Sequence, residues 1–199
     1  MSFKQYRTLD LTIFIGMYAL CEYLVVKAAT VWFDEPYSIS IMLPLLAIVM
    51  MRWDKYSVIH AIVYALLFVF YQKGNLNQYI IYLVGNLGFM LMLIYVNKVG
   101  KDKIRSSFFD ASLYMVVGFL LMEIFRGIAS MAVAGSNIGV ILQFVMTDML
   151  SLVFAILVVI VVRKMEGIFQ DQKQYLLELN SQKENIDGGW QDEWWISSL

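Results

Sequence analysis

Long apolar blocks alternate with short polar gaps along most of this chain. The blocks at 9–32, 37–51, 58–71, 79–96, 109–134 and 138–162 carry few charges and approach the length a helix needs to cross a bilayer. They predict an all-α fold, a polytopic membrane bundle of about six transmembrane helices. The second and third blocks are short, and Tyr37, Trp53, Tyr56 and Tyr71 give their ends the amphipathic rings that suit headgroup level. Pro44 is the one proline within a block and is expected to kink the second helix.

Lysine and arginine fall in every second gap. Lys4 and Arg7 precede the first block, and Arg52 and Lys55 separate the second from the third. Lys98, Lys101, Lys103 and Arg105 separate the fourth from the fifth, and Arg163 and Lys164 follow the sixth. The other gaps hold Asp34 and Glu35, then Lys73 alone, then Gly135-Ser136-Asn137. Basic loops are retained on the cytoplasmic side, so both termini are predicted to be cytoplasmic in a multi-pass protein of the cell membrane. The first block is long, carries Glu22 and Lys27 and lacks a small-residue cleavage pattern, so it reads as a retained span and not as a removable signal peptide.

Three regions follow from this pattern: a transmembrane bundle over 1–162, a cytoplasmic amphipathic helix over 163–184 and a flexible acidic, Trp-rich tail over 185–199. In the second region Met165, Ile168, Phe169, Gln172, Leu176 and Leu179 recur at three- and four-residue steps, the spacing of one helix face. That helix either docks on the bundle or extends the last span. The tail holds Gly188-Gly189 and Trp190, Trp194 and Trp195, rings suited to the membrane interface.

Composition then excludes several function classes. Hydrophobic residues make up 60% of the 199, and the formal net charge of −1 offers no basic field to recruit nucleic acid. Cys21 is the single cysteine, so it supports no internal disulfide and no metal or redox motif. No Gly-x-x-x-x-Gly-Lys-Ser/Thr string is present, so energy for any transport has to come from other subunits. An enzyme acting on a lipid-like substrate would use Glu123, Asp148 and His60 as acid/base or metal groups. His60 is predicted on the opposite side of the membrane from the two acids, and no His/Asp cluster stands at ligand spacing. The sequence therefore predicts no catalytic centre, no metal site and no cofactor.

Ionisable side chains are costly at membrane depth, which makes each one a candidate for function. The predicted topology places Lys27 in the outer half of the first span, Glu123 and Arg126 from the middle to the outer half of the fifth, and Asp148 near the middle of the sixth. Asn86 falls near mid-depth in the fourth. Four helices thus offer polar groups at one depth, as a solute pocket open to the outside requires. Glu123 and Arg126 are three apart and can equally pair along one helix face and only stabilise the bundle. Glu22 lies deeper than Lys27 and suits helix pairing, Gln143 is off the face of Asp148, and His60 suits a satisfied or interfacial histidine. The first outer loop adds Trp32, Asp34 and Tyr37, which fit either stacking on a ring-bearing solute or a plain aromatic belt. On the first span Thr12, Gly16 and Ala19 form a stripe of small side chains that lets another helix approach, from this chain or from a partner.

Several strings resemble the substrate-binding S component of energy-coupling factor transporters. They are Tyr37-Ser38-Ile39-Ser40 leading to Met51-Arg52-Trp53, then Tyr82-Leu83-Val84-Gly85-Asn86, and Gly167-Ile168-Phe169-Gln170-Asp171-Gln172 continuing to Leu176. The resemblance implies a six-helix subunit that binds a vitamin-like or metal-related solute, while a membrane coupling subunit and cytoplasmic ATPase subunits supply the energy. It implies solute contacts at Trp32, Asp34, Tyr37, Asn86, Glu123, Arg126 and Asp148. It also implies docking of the first helix on the coupling subunit, where Thr12 and Gly16 stand at the spacing of the family's Ala-x-x-x-Ala without the alanine pair.

Overall fold

The apolar blocks fold as helices and the polar gaps as the turns between them. A computed structural model describes residues 2–32 and 39–187. Among these residues the helices are α1 (Phe3–Trp32), α2 (Met42–Trp53), α3 (Ser57–Tyr71), α4 (Leu76–Phe89), α5 (Met92–Val99), α6 (Lys101–Ser106), α7 (Phe108–Ala134), α8 (Gly139–Thr147), α9 (Met149–Val162) and α10 (Gln172–Asp187). Local chemistry sets several ends. Asn75 and Gln78 form a reciprocal capping box at the start of α4, the Ser107 side chain caps α7, and Gly135 ends α7 at φ +65°.

Four helical stretches are long and apolar enough to cross a membrane: Phe3–Ala28, Met42–Tyr71, Leu76–Val99 and Phe108–Ala134. The pair Gly139–Thr147 and Met149–Val162, bent by 50°, makes a fifth if it counts as one span. The stretch Met42–Tyr71 is not a single rod. Glu22 on α1 meets Ile41 at the start of α2 while Asp10 meets Arg52 and Trp53 at its end, so α1 and α2 run in opposite directions. Leu11, Phe14 and Tyr23 meet His60, Tyr64 and Tyr71 in turn, so α1 and α3 run in the same direction. The chain therefore folds back between α2 and α3, at a 3-10 turn over Asp54–Tyr56 that Asp54 enters at φ +48°. The two arms are short, with 12 residues in α2 and 15 in α3.

Pro44 does not kink α2. It stands in the first turn, where backbone N–H groups have no intrahelical acceptor, so its missing N–H breaks no bond.

Helices α4 and α5 run antiparallel to α7, and glycines set how close they come. A Cβ at Gly88 would lie 2.6 Å from Phe125 Cγ, and one at Gly118 would lie 2.4 Å from the Phe89 ring. The rings fill what the glycines vacate, the small-against-large packing that draws helices together where lipid gives no hydrophobic drive. Around an apolar core, several charges lie inside while many large apolar side chains lie outside, unlike a water-soluble bundle. Leu20, Ile94, Phe109, Leu157 and Val161 are exposed, whereas Glu22, Glu123 and Arg126 are fully buried.

The basic gaps gather at one end of the bundle. Arg52 donates to both Asp10 oxygens and to the Gly167 and Ile168 carbonyls, and Trp53 Nε1 donates to Asp10. Lys101 bridges Asp54 at 2.7 Å and Asp171 at 2.5 Å, and Arg163 donates to the Arg105 and Ser106 carbonyls. This lattice reshapes the segment expected as a helix over 163–184. The helix starts only at Gln172, because the preceding turns, with Gly167 at φ +73°, offer their carbonyls to Arg52 and press Phe169 into the core beside Tyr114. The expected tail lies outside the described residues beyond Asp187.

Burial on its own raises the Asp171 carboxyl, but Lys101 and the N–H groups of Gln174 and Lys173 outweigh it and hold the group below its ordinary value of 3.8. A depressed carboxylate contributes stability that is complete above its unfolded pKa and is lost as pH falls through the folded one. Hydrogen-exchange protection of the 163–175 backbone, taken relative to the intrinsic rate at each pH, should therefore hold down to about pH 4 and fall below it, and Asp171→Asn should already show the lower protection at neutral pH. Equal exchange in variant and parent would remove Asp171 from the lattice.

Candidate functional site

Toward the other end, the interior turns polar. Arg126 on α7 is fully buried, and its Nη1 donates to Glu123 Oε1 at 2.9 Å and to Asp148 Oδ2 at 2.5 Å. The i, i+3 spacing brings Glu123 to it along α7. Asp148 arrives by a different route: it is the residue at the 50° break between α8 and α9, and the bend carries its carboxylate to α7. The guanidinium carbon lies 4.5 Å from the centroid of the Tyr82 ring on α4, a cation–π contact. Gly85 makes room for it, since a Cβ there would lie 2.2 Å from Arg126 Cγ.

A second acid joins from α1. Glu22 Oε2 accepts from the Ser40 hydroxyl at 3.0 Å and from the Ile41 N–H at 3.1 Å, and Ser40 Oγ accepts from the Met42 N–H. The carboxylate thus sits at the N-terminus of α2, where unpaired N–H groups favour negative charge. The Ser40 N–H donates to Ser151 Oγ, and Ser151 lies three residues beyond Asp148 on α9. A chain of polar groups therefore runs from Glu22 through Ser40 and Ser151 toward Asp148, Arg126 and Glu123.

Asn86 closes the group from α4. Its Nδ2 donates to the Ala61 carbonyl at 3.0 Å and lies 3.0 Å from Met42 Sδ, so it touches the same end of α2 that Glu22 caps. Several buried atoms here have no partner: Glu22 Oε1, Glu123 Oε2, Asn86 Oδ1 and Arg126 Nε. Buried polar atoms are nearly always bonded, so four orphans in one polar interior single it out as the candidate site.

Of the sequence candidates, Asn86, Glu123, Arg126 and Asp148 come together. Lys27 does not join them: it is exposed on α1, with Nζ 5.7 Å from the centroid of the Tyr23 ring. The Trp32 side chain, Asp34 and Tyr37 lie outside the described residues. Thr12 and Gly16 are exposed away from this group, and a Cβ at Gly16 would meet nothing within 4 Å, while Ala19 is half-buried. His60 is buried toward the basic end, its Nε2 3.0 Å from the Leu11 carbonyl and its Nδ1 without a hydrogen-bond partner. Sequence reasoning missed Ser40, Tyr82 and Ser151 and read Glu22 as a pairing acid only. An alternating polar pattern does not distinguish such serines from those that merely back-bond in a helix.

Among the described residues no three His, Cys, Asp or Glu side chains converge as a metal ligand set. What the arrangement offers is a charged, hydrogen-bonding interior drawn from α1, α2, α4, α7 and the α8–α9 break, without a paired nucleophile and base. No protein-family model matches this chain, nor does any curated protein or solved structure.

Proposed function

We propose that this chain is the substrate-binding subunit of an energy-coupling factor type uptake transporter in the cell membrane. It captures a small vitamin-like or metal-related solute from outside and works with a membrane coupling subunit and cytoplasmic ATPases. The observation that carries this reading is the incompletely bonded polar interior around Arg126, placed at the end of the bundle opposite the gathered basic gaps. In this reading α2 and α3 each cross a locally thinned bilayer, the chain crosses six times, and both termini are cytoplasmic. A non-transporting scaffold is the second reading, and the pairing of Arg126 with both Glu123 and Asp148 favours it.

The direct test is native mass spectrometry of the purified chain, with uptake of any retained solute measured in cells with and without ATP. A retained solute whose uptake depends on the chain supports transport. No retained solute and no uptake defect on deletion leaves the scaffold. Topology is checked separately with cysteines introduced at Lys101 and Ser136: a membrane-impermeant reagent added outside should label only the second, and labelling of both sites from one side would overturn the six-crossing arrangement.

The outward stripe gives a further test. Gly16→Leu should fold normally, because the position is open, and should reduce co-purification of a coupling subunit while leaving solute binding intact. Unchanged co-purification would remove α1 as the docking face.

A further inference from the structure

Building on that reading, we infer that the solute is a small organic cation bearing N–H donors, held by Glu22, Glu123 and Asn86. The buried group contains three carboxylates, Glu22, Glu123 and Asp148, and one guanidinium, Arg126. Arg126 spends Nη1 on Glu123 and Asp148. Glu22 takes its donors from Ser40 and Ile41, neither of which carries charge. Lys27, the other cation predicted at this depth, is exposed on α1 and outside the buried group. Among the described residues this buried group is thus formally two negative charges in excess, a state that needs either protons or a positive guest in a low dielectric.

The unbonded atoms have the matching polarity. Three are acceptor oxygens: Glu22 Oε1, Glu123 Oε2 and Asn86 Oδ1. The Asn86 oxygen is independent of the acids, since that residue is fully buried and its amide nitrogen is already committed to Ala61 and Met42. The one unbonded donor is Arg126 Nε, on a guanidinium whose charge already faces the Tyr82 ring and two carboxylates. An anionic guest would find a single donor and add to the negative excess. A bare metal ion fits no better, because these acids do not converge as a ligand set. An ammonium or amidinium on a small organic frame supplies both charge and donors, spread over the separated oxygens.

Four isosteric probes test this on the full chain in lipid nanodiscs: benzylamine and benzamidine as cations, benzyl alcohol as a neutral and benzoate as an anion. Titration calorimetry should detect the two cations and neither of the others, and Glu123→Gln should weaken benzamidine by about tenfold or more. Glu22→Gln, on a different helix, should do the same if the first variant fails to fold. Benzoate binding as tightly as benzamidine, binding unaffected by either variant, or no binding of either cation would overturn the assignment, and so would a co-purified solute that is neutral or anionic. In that last case the transport reading stands and only the charge of its solute fails; a chain that retains no solute and causes no uptake defect on deletion removes both.

Discussion

Arg126→Ala should leave the bundle close to unfolded. The guanidinium has no exposure to solvent, donates to two carboxylates and lies against the Tyr82 ring, so the truncation strands Glu123 and Asp148 without a cation and opens a void between α4, α7 and α9. Breaking a buried charge pair from one side costs about 3–5 kcal/mol, which is comparable with much of a domain's net stability. Thermal unfolding followed by tryptophan fluorescence in detergent should show a melting transition lowered by at least about ten degrees, or none at all. The double variant Glu123→Gln with Asp148→Asn in the Arg126→Ala background should recover part of the loss, because it removes the stranded charges. A single variant that melts with the parent would mean that the carboxylates are already neutral and that Arg126 does not hold the break between α8 and α9 against α7.

Gly118→Val should come next in severity. A Cβ at this position would lie 2.4 Å from Phe89 Cε2 and 2.9 Å from Cδ2, and Phe89, at the end of α4, is itself fully buried with its ring against Tyr114 of α7. The ring has no free volume to enter, so α4 and α7 must separate, and overpacking of this kind costs about 1–3 kcal/mol. The loss should appear as a lower melting temperature and as faster hydrogen exchange confined to α4, α5 and α7. Gly16→Leu is the internal control, since it adds more volume at a glycine with nothing within 4 Å. Equal destabilisation by the two would show that glycine conformational freedom, and not helix contact, governs both sites.

The polar site was legible in part. Glu123 with Arg126 can be read from their spacing, because three residues on a helix always place side chains side by side. Asp148 and Asn86 were readable as costly residues at membrane depth, though not as neighbours of Arg126. Ser40 and Ser151 carried no signal, as a serine's role depends on what stands across from it. Lys27 was misleading for the same reason: depth along a span says nothing about which way a side chain faces, and on α1 it faces outward. The helix expected over 163–184 failed over its first part because local periodicity competes with tertiary demand. Arg52, itself buried, requires acceptors, and the carbonyls of Gly167 and Ile168 serve only when they are released from a helix.

By itself the sequence determined that the chain is helical with several apolar stretches suited to a membrane, because apolar length and the need to satisfy backbone hydrogen bonds in lipid leave few alternatives; against the six spans it predicts, four to five helical stretches are long and apolar enough to cross. Helix ends at Asn75, Ser107 and Gly135 are also a local matter, since caps act within a few residues, although the hydrophobic pattern alone did not reveal them. Only the tertiary structure decided that the sixth block breaks at Asp148 and that Glu22 shares an interior with Arg126. These outcomes depend on contacts between residues far apart in the chain. A carboxylate is placed by whichever distant donors can satisfy it, and no local pattern records where those donors will be.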